Sequence, residues 1–196
     1  MESTEHHPSA TEASAALDDA VASRAMLAQR LRTPPLFFTS IGVAIALQIA
    51  LTAIGLSLSV AGGGITALTG WSLAFLLAGI AVLLVVAGVQ LAAFRRLNGV
   101  WIGGLLSRVV LGTGAIASAA YVLALLGAIW AAIDSQWWLA ITSSIVGGAA
   151  YALGGRRWFE AYRAEPARHA RGVSKAMVWL AVAVALAGLA LLLVYR

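Results

Sequence analysis

Residues 71–94 read WSLAFLLAGIAVLLVVAGVQLAAF, and none of them is Asp, Glu, Lys, Arg or His. At a rise of about 1.5 Å per residue, such a helix is roughly 36 Å long and exceeds the hydrocarbon core of about 30 Å. The run shows no regular alternation of apolar and polar residues, as a strand of a membrane barrel would. The stretch therefore predicts a helix that spans a membrane once.

The composition of the whole chain of 196 residues agrees with this prediction. Hydrophobic residues make up 61% of the chain and charged residues only 11%, whereas about 25% of a soluble globular domain is charged. So few charged side chains cannot cover the surface of a water-soluble domain, and so many apolar residues exclude disorder throughout the chain. The sequence predicts an all-α integral membrane protein.

Four further segments share the length and the lack of ionisable residues of 71–94. Each is long enough to span, because a crossing helix needs about 20 residues. The predicted spans are 36–58, 71–94, 109–133, 137–155 and 176–195. Residues 36–196 would thus form a five-helix transmembrane domain. Within it, 97–107 is either an interfacial segment or a continuation of the third span.

Lys and Arg residues lie almost entirely on one side of this predicted domain. Twelve of the thirteen fall in the N-terminal tail, the second connection and the fourth connection, and the other is Arg196. Because such an excess marks cytoplasmic loops, we expect a cytoplasmic N-terminus and an external C-terminus. Membrane topology and attraction to the lipid bilayer then explain the net charge of +5. No nucleic-acid partner is needed to account for it. The candidate contacts to lipid headgroups are Arg95, Arg96, Arg156 and Arg157.

Residues 1–35 form a polar tail before the first predicted span. From about 11 to 32 the Ala-rich sequence predicts a helix with acidic residues near its start and arginines near its end, which suits the helix macrodipole. Two consecutive prolines, at 34 and 35, would end it. This helix is either a solvated segment or a docking helix. Its candidate docking contacts are Leu17, Val21, Leu27 and Leu31.

Neutral polar residues near the centres of three spans form a candidate intramembrane cluster. Ionisable groups, whose cost inside a membrane marks proton relays and catalytic sites, are absent from all five predicted spans. Hydrogen bonding between helices explains the neutral groups, and a small pocket for a neutral solute is the alternative. The cluster comprises Gln48, Tyr121, Ser143 and Ser144.

Small residues recur every four positions along the fourth predicted span. Ala140, Ser144, Gly148 and Ala152 would share one face of a helix. A neighbouring backbone can approach such a face closely. We name it the small-residue face, and it predicts a seam within the bundle or, alternatively, with a second copy or another membrane subunit.

No pattern in the sequence predicts an enzyme. The chain has no Cys, and its three His residues are not spaced as metal ligands, so we expect neither a metal nor a cofactor. Asp18 and Asp19 are followed three positions later by Ala22, unlike the Asp-rich magnesium motifs of prenyltransferases. A lipid-modifying enzyme would have to use Glu160 as a base beside the arginines.

Two segments carry a resemblance to a known group of proteins. Arg30-Leu31-Arg32-Thr33-Pro34 and Phe94-Arg95-Arg96-Leu97-Asn98-Gly99-Val100-Trp101 resemble small multi-pass membrane proteins of high-GC Gram-positive bacteria. The resemblance covers the first half of the chain. It implies a helical tail leading into a basic, proline-marked start of the first span in a bacterial cell membrane, and it implies no activity or site residue.

Together these observations predict a non-enzymatic membrane protein that acts through protein contacts as an accessory, assembly or regulatory subunit. The alternative is a transporter or channel for a small neutral or anionic solute, which would use the intramembrane polar cluster.

Overall fold

The computed structural model describes residues 9–62, 70–99 and 114–165, and this part of the chain is helical and contains no strand. The all-helical prediction is therefore confirmed for these residues. The predicted span 176–195 and most of the 97–107 segment lie outside them. The helices are α1 (Ala10–Arg30), α2 (Phe37–Ala61), α3 (Trp71–Asn98), α4 (Gly114–Ile133) and α5 (Trp137–Ala164).

Three of these helices, α2, α3 and α5, are long and apolar enough to cross a membrane. In α4 the apolar stretch Ala117–Ile133 is shorter. The described residues thus account for three candidate spanning helices rather than the five predicted from the whole sequence.

α2 lies at the centre of the arrangement and packs against α3, α4 and α5. Ile41, Ile45, Ile49 and Ala53 are all buried. Because successive steps of four residues drift around a helix of 3.6 residues per turn, these positions face more than one neighbour. α4 and α5 also pack against each other, so α2, α4 and α5 share one core.

α3 lies at the edge of the bundle and packs mainly along α2. Its buried residues are Ser72, Gly79 and Phe94. The opposite side exposes large apolar side chains, among them Leu84 and Val85. α3 is thus apolar around its circumference although it has only one described neighbour, a pattern typical of a helix in lipid.

All three candidate spanning helices continue beyond the predicted spans. α2 ends at Ala61 instead of residue 58, α3 at Asn98 instead of residue 94, and α5 at Ala164 instead of residue 155. The additional residues of α3 and α5 include charged ones. Charged residues limit the part of a helix that lies in lipid, but Arg and Glu are good helix formers in water. α3 stops where Gly99 adopts a left-handed conformation with φ 66°, a common end for a helix.

α1 ends two residues earlier than predicted, at Arg30. Leu31 is extended, with φ −64° and ψ 127°. The proline pair at 34 and 35 disfavours helix only in the residues immediately before it. The earlier end has a tertiary cause, because the backbone of Arg32 is hydrogen-bonded to another helix.

Candidate interaction site around the N-terminal helix

The small-residue face of α5 lies against α2. Ala140, Ser144 and Gly148 are buried. A Cβ added to Gly148 would collide with the carbonyl oxygen of Gly42, and a Cβ added to Gly42 would lie 2.8 Å from the Cβ of Ala152. The backbones of α2 and α5 therefore touch, and the small-residue face lies inside the bundle.

Gly147 brings α4 into the same contact. A Cβ on Gly147 would lie 2.6 Å from the Cβ of Ala124 on α4 and 2.9 Å from Cδ1 of Ile49 on α2. Real Cβ atoms essentially never come so close to other heavy atoms. Glycine at this position thus allows three helices to meet. We name the contacts of Gly42, Gly147 and Gly148 the glycine seam.

The structure brings together two members of the predicted polar cluster. The Tyr121 hydroxyl on α4 donates a hydrogen bond of 2.8 Å to Oε1 of Gln48 on α2. Nε2 of Gln48 donates in turn to Oγ1 of Thr52, at 3.0 Å. Gln48 is only 8% exposed, so this pairing satisfies a buried amide. The sequence analysis did not include Thr52, although its i+4 spacing from Gln48 was a signal.

The two serines of the predicted cluster do not join this pair. Ser144 is buried and donates to the carbonyl of Ala140 in its own helix, at 2.8 Å. Ser143 faces α4, where its Oγ lies 3.5 Å from the position of a Cβ added to Gly127. Adjacent residues on a helix point in directions about 100° apart, which separates the serines.

Gln90 on α3 is a polar residue that the sequence analysis missed. Its Oε1 is buried and accepts no hydrogen bond from the residues that the structure describes. Gln90 comes four residues before the buried Phe94, so it lies on the side of α3 that faces α2. The signal was available, because Gln90 is the only Gln or Asn in 71–94.

The four candidate arginines lie near the ends of α3 and α5. Arg95 and Arg96 are exposed in the last turn of α3. Arg156 and Arg157 are exposed on α5, and Nε of Arg156 lies 3.0 Å from Oε1 of Glu160. Glu160, the candidate base, is therefore engaged in an exposed ion pair.

Aromatic rings hold these helix ends together. The ring centroids of Phe37 on α2 and Phe94 on α3 are 6.2 Å apart. Those of Phe38 on α2 and Phe159 on α5 are 6.0 Å apart. The start of α2 therefore lies beside the ends of α3 and α5, and the arginines share one end of the bundle.

At this end, Asn98 binds the backbone of the segment that links α1 to α2. The Arg32 amide donates to Oδ1 of Asn98, and Nδ2 of Asn98 donates to the Arg32 carbonyl, both at 2.9 Å. Nδ2 also donates to the Phe94 carbonyl at 3.0 Å. The side chain thus pairs with the Arg32 backbone as a neighbouring strand would, although the residues are 66 positions apart.

A second contact joins α1 to α5. Nη2 of Arg163 donates to the carbonyl of Gln29 at 3.0 Å, and Ala28 beside it is 2% exposed. A guanidinium group at this place suits α1, because the last carbonyls of a helix carry partial negative charge. We name the hydrogen bonds of Gln29 and Arg32 with Arg163 and Asn98 the clasp. Sequence spacing gave no sign of it.

The rest of α1 extends away from these contacts. Every residue in 10–23 is exposed, and we name this part the projecting segment. It carries the docking candidates Leu17 and Val21, which are 67% and 50% exposed. The other two docking candidates lie outside the projecting segment. Leu27 is exposed, whereas Leu31 packs against the core.

The start of α1 is capped by its own residues. Oγ of Ser9 accepts from the Glu12 amide, and Oε2 of Glu12 accepts from the Ser9 amide at 2.8 Å and from the Ser9 hydroxyl at 2.9 Å. This reciprocal arrangement is a capping box. The Ser9 amide, and then its hydroxyl, hold the pKa of Glu12 below its usual value. The first turn of the projecting segment is thus capped by side chains of the same segment and its N-cap residue.

Comparison of the chain with models of protein families, with curated proteins and with solved structures found no match. Among the residues described, no three or more His, Cys, Asp and Glu side chains are grouped so that they could hold a metal ion. The fold and site define a helical bundle that has three helices apolar enough to cross a membrane and one helix clasped to its end.

Proposed function

We propose that this chain is an integral membrane protein of the bacterial inner membrane that acts as a non-enzymatic accessory, assembly or regulatory subunit. In the proposed topology, five helices span the bilayer, the clasp and N-terminus are cytoplasmic, and the C-terminus is external. The three long apolar helices and the distribution of Lys and Arg support this topology.

The observation that carries the proposal is the clasp and what it presents. Three hydrogen bonds hold the end of α1 at fixed places on α3 and α5, while 10–23 contributes nothing to the described core. A helix that is fixed at one end and exposed elsewhere offers a rigid surface, which reduces the ordering cost when a partner binds. This supports a role in protein contact.

The polar cluster gives less support to the alternative, a transporter or channel. A solute path would need polar groups with free hydrogen-bonding capacity, but Gln48 and Tyr121 bond to each other across two helices. Gly147 packs closely against Ile49, the residue after Gln48, and against Ala124, three residues after Tyr121. These contacts favour a packing role for the cluster over a solute path.

The test of the proposed function is the state of the full chain in its native membrane. We expect crosslinking before solubilisation, followed by native electrophoresis, to show this protein in a complex with another membrane protein. Recovery as a lone monomer in mild detergent, with no crosslinked protein in native membranes, would overturn the proposal.

The topology can be tested separately because the chain contains no Cys. Leu17→Cys lies in the projecting segment and Ser135→Cys lies in the exposed turn between α4 and α5. In intact spheroplasts, a membrane-impermeant maleimide should label position 135 and spare position 17 until the membrane is opened. The reverse pattern would contradict the proposed orientation.

A further inference from the structure

The side of α1 that packs on the bundle continues uncovered along the projecting segment. At the clasp this side contains Ala28, which is buried, and Ala25, which is half-buried. Val21 lies four positions before Ala25 and seven positions before Ala28, which places it on the same side of the helix. Continuing at helical spacing, the exposed part of this side consists of Ser14, Leu17, Asp18 and Val21. We name these four residues the docking face.

The docking face combines two apolar side chains with one carboxylate. Leu17 and Val21 are one turn apart, and Asp18 borders them. The projecting segment contains three acidic residues and no Lys or Arg, so its charge is opposite to the net +5 of the chain. An occupant that matches this face needs apolar side chains next to a cationic group.

A membrane surface does not have this chemistry. Helices that lie on anionic bilayers carry Lys and Arg on their polar side, and the cytoplasmic leaflet has a negative surface potential. The acidic groups of the projecting segment would be repelled by that surface. The charge of the projecting segment therefore favours a protein over lipid as the occupant.

The cytoplasmic loops of other membrane proteins do have the required chemistry. They are rich in Lys and Arg for the same topological reason as in this chain, and they lie at the level of the membrane surface where the clasp fixes α1. A basic helix next to the bilayer can bury its apolar residues on Leu17 and Val21 and direct a cation to Asp18.

We propose that the docking face binds a basic, partly apolar helical segment in a cytoplasmic loop of another integral membrane protein. This inference rests on the proposed function and its topology, and it identifies the surface and the kind of partner. The contact continues an interface that already exists within the chain, since the same side of α1 packs on α5 at Ala28.

The experiment places the photoreactive residue benzoylphenylalanine at position 17 or 21 of the full chain in native membranes. Matched controls carry it at Ala16 or Ser23, which are exposed on the opposite side of α1. We expect positions 17 and 21 to give about tenfold more crosslinked product than the controls, as for a buried interface against its surroundings. The peptide that is crosslinked should contain Lys or Arg and belong to a cytoplasmic loop of another membrane protein.

Charge reversal tests the role of Asp18. With the photoreactive residue at 21, Asp18→Lys should lower the yield about tenfold because it places like charges together. The matched variant Asp19→Lys changes the adjacent exposed carboxylate, which points about 100° away, and should leave most of the yield. A Lys→Glu or Arg→Glu change in the crosslinked peptide should restore the product in the Asp18→Lys chain.

The inference is overturned by equal crosslinking from both sides of α1, by products with lipid, with this chain itself or with a second copy of it, or by a peptide without basic residues. An unchanged yield in Asp18→Lys also overturns it. If the native complex persists while positions 17 and 21 give no product, the inference fails and the proposed function stands. If the chain is a lone monomer, both fail.

Discussion

The glycine seam and the clasp hold their helices by opposite means. In the seam, Gly42 and Gly148 bring two backbones into direct contact, so its strength depends on shape. In the clasp, Asn98 and Arg163 reach backbone groups of the α1 end through exposed hydrogen bonds, for which water competes. A larger residue should therefore destabilise the seam, whereas removal of a hydrogen-bond donor or acceptor should destabilise the clasp. The bundle and α1 can then differ greatly in stability.

The largest effect should come from adding one methyl group to the seam. In Gly148→Ala the new Cβ meets the Gly42 carbonyl, a backbone group that cannot move unless α2 and α5 separate. We expect a loss of about 3 kcal/mol in the free energy of unfolding, measured by detergent unfolding of the full chain followed through tryptophan fluorescence.

The matched control for this substitution is Gly88→Ala on α3, where a Cβ meets nothing within 4 Å. Better helix propensity should make that variant neutral or up to about 1 kcal/mol more stable. Similar losses in both variants would mean that the seam does not depend on shape.

A smaller and local effect should come from removing the Asn98 side chain. Asn98→Ala loses both bonds to the Arg32 backbone and the bond to Phe94. The exposed bonds between Asn98 and the Arg32 backbone should together stabilise this contact by about 1 kcal/mol. Without them, the Arg32 amide should exchange its hydrogen roughly five- to tenfold faster. Leu97→Ala, at the exposed neighbouring residue, should leave this rate unchanged.

Loss of the clasp should affect the stability of the whole bundle much less than it affects exchange at Arg32. Detergent unfolding of Asn98→Ala should stay within about 0.5 kcal/mol of the parent chain, as for other surface changes. A loss as large as that of Gly148→Ala would show that the clasp is part of the core, and the distinction between the two regions would be wrong.

The substitution Tyr121→Phe tests whether a hydrogen bond near the seam adds to the stability that close packing provides. The variant keeps the ring and removes the donor to Gln48. We expect a loss of about 0.6 kcal/mol, the average for such a bond between helices in a membrane protein, in the same unfolding experiment. Tyr162→Phe, which preserves stacking on Trp158, should change nothing. A loss above that of Gly148→Ala would reverse the ranking of shape and hydrogen bonding.

The smallest effect concerns the first turn of α1. Because its pKa is lowered in the folded helix by donors on Ser9, the Glu12 carboxylate stabilises the first turn above the pKa that it has in the unfolded chain. That contribution is lost as the pH falls through the lower, folded pKa. Amide protection in the first turn, judged from the exchange rate relative to that of an unstructured chain at the same pH, should therefore fall on acidification, with little change at Arg32. In Glu12→Gln this dependence should disappear, and its persistence would contradict the role of the capping box.

Much of the helical fold could be predicted from local sequence. The runs 36–58, 71–94 and 137–155, which form most of α2, α3 and α5, contain no Asp, Glu, Lys, Arg or His, and the sequence predicts the starts of these helices to within a residue. The predicted spans stop before the helices do, at 58, 94 and 155. For α3 and α5 the reason is that charge limits the part of a helix in lipid and does not stop the helix itself. Composition also predicted the polar helix α1, on which the docking candidates Leu17 and Val21 are exposed.

The candidate site could be predicted only in part. Asn98 was visible as a polar residue at the end of an apolar run, but its partner Arg32 lies 66 positions away. Arg163 and Gln29 are 134 positions apart. No periodicity in a single segment encodes such pairs, because they depend on where helix ends meet after packing.

The sequence by itself determined which segments are apolar helices, which residues on them are small or polar, and which stretches between them contain Lys and Arg. These are properties of composition and helical period, and they act within one or a few turns. Only the tertiary structure decided that the small-residue face meets α2, that Gln48 pairs with Tyr121 while the serines do not, and that Asn98 and Arg163 hold the end of α1. Such contacts require distances of a few ångströms between distant parts of the chain, and these distances exist only after the helices have packed.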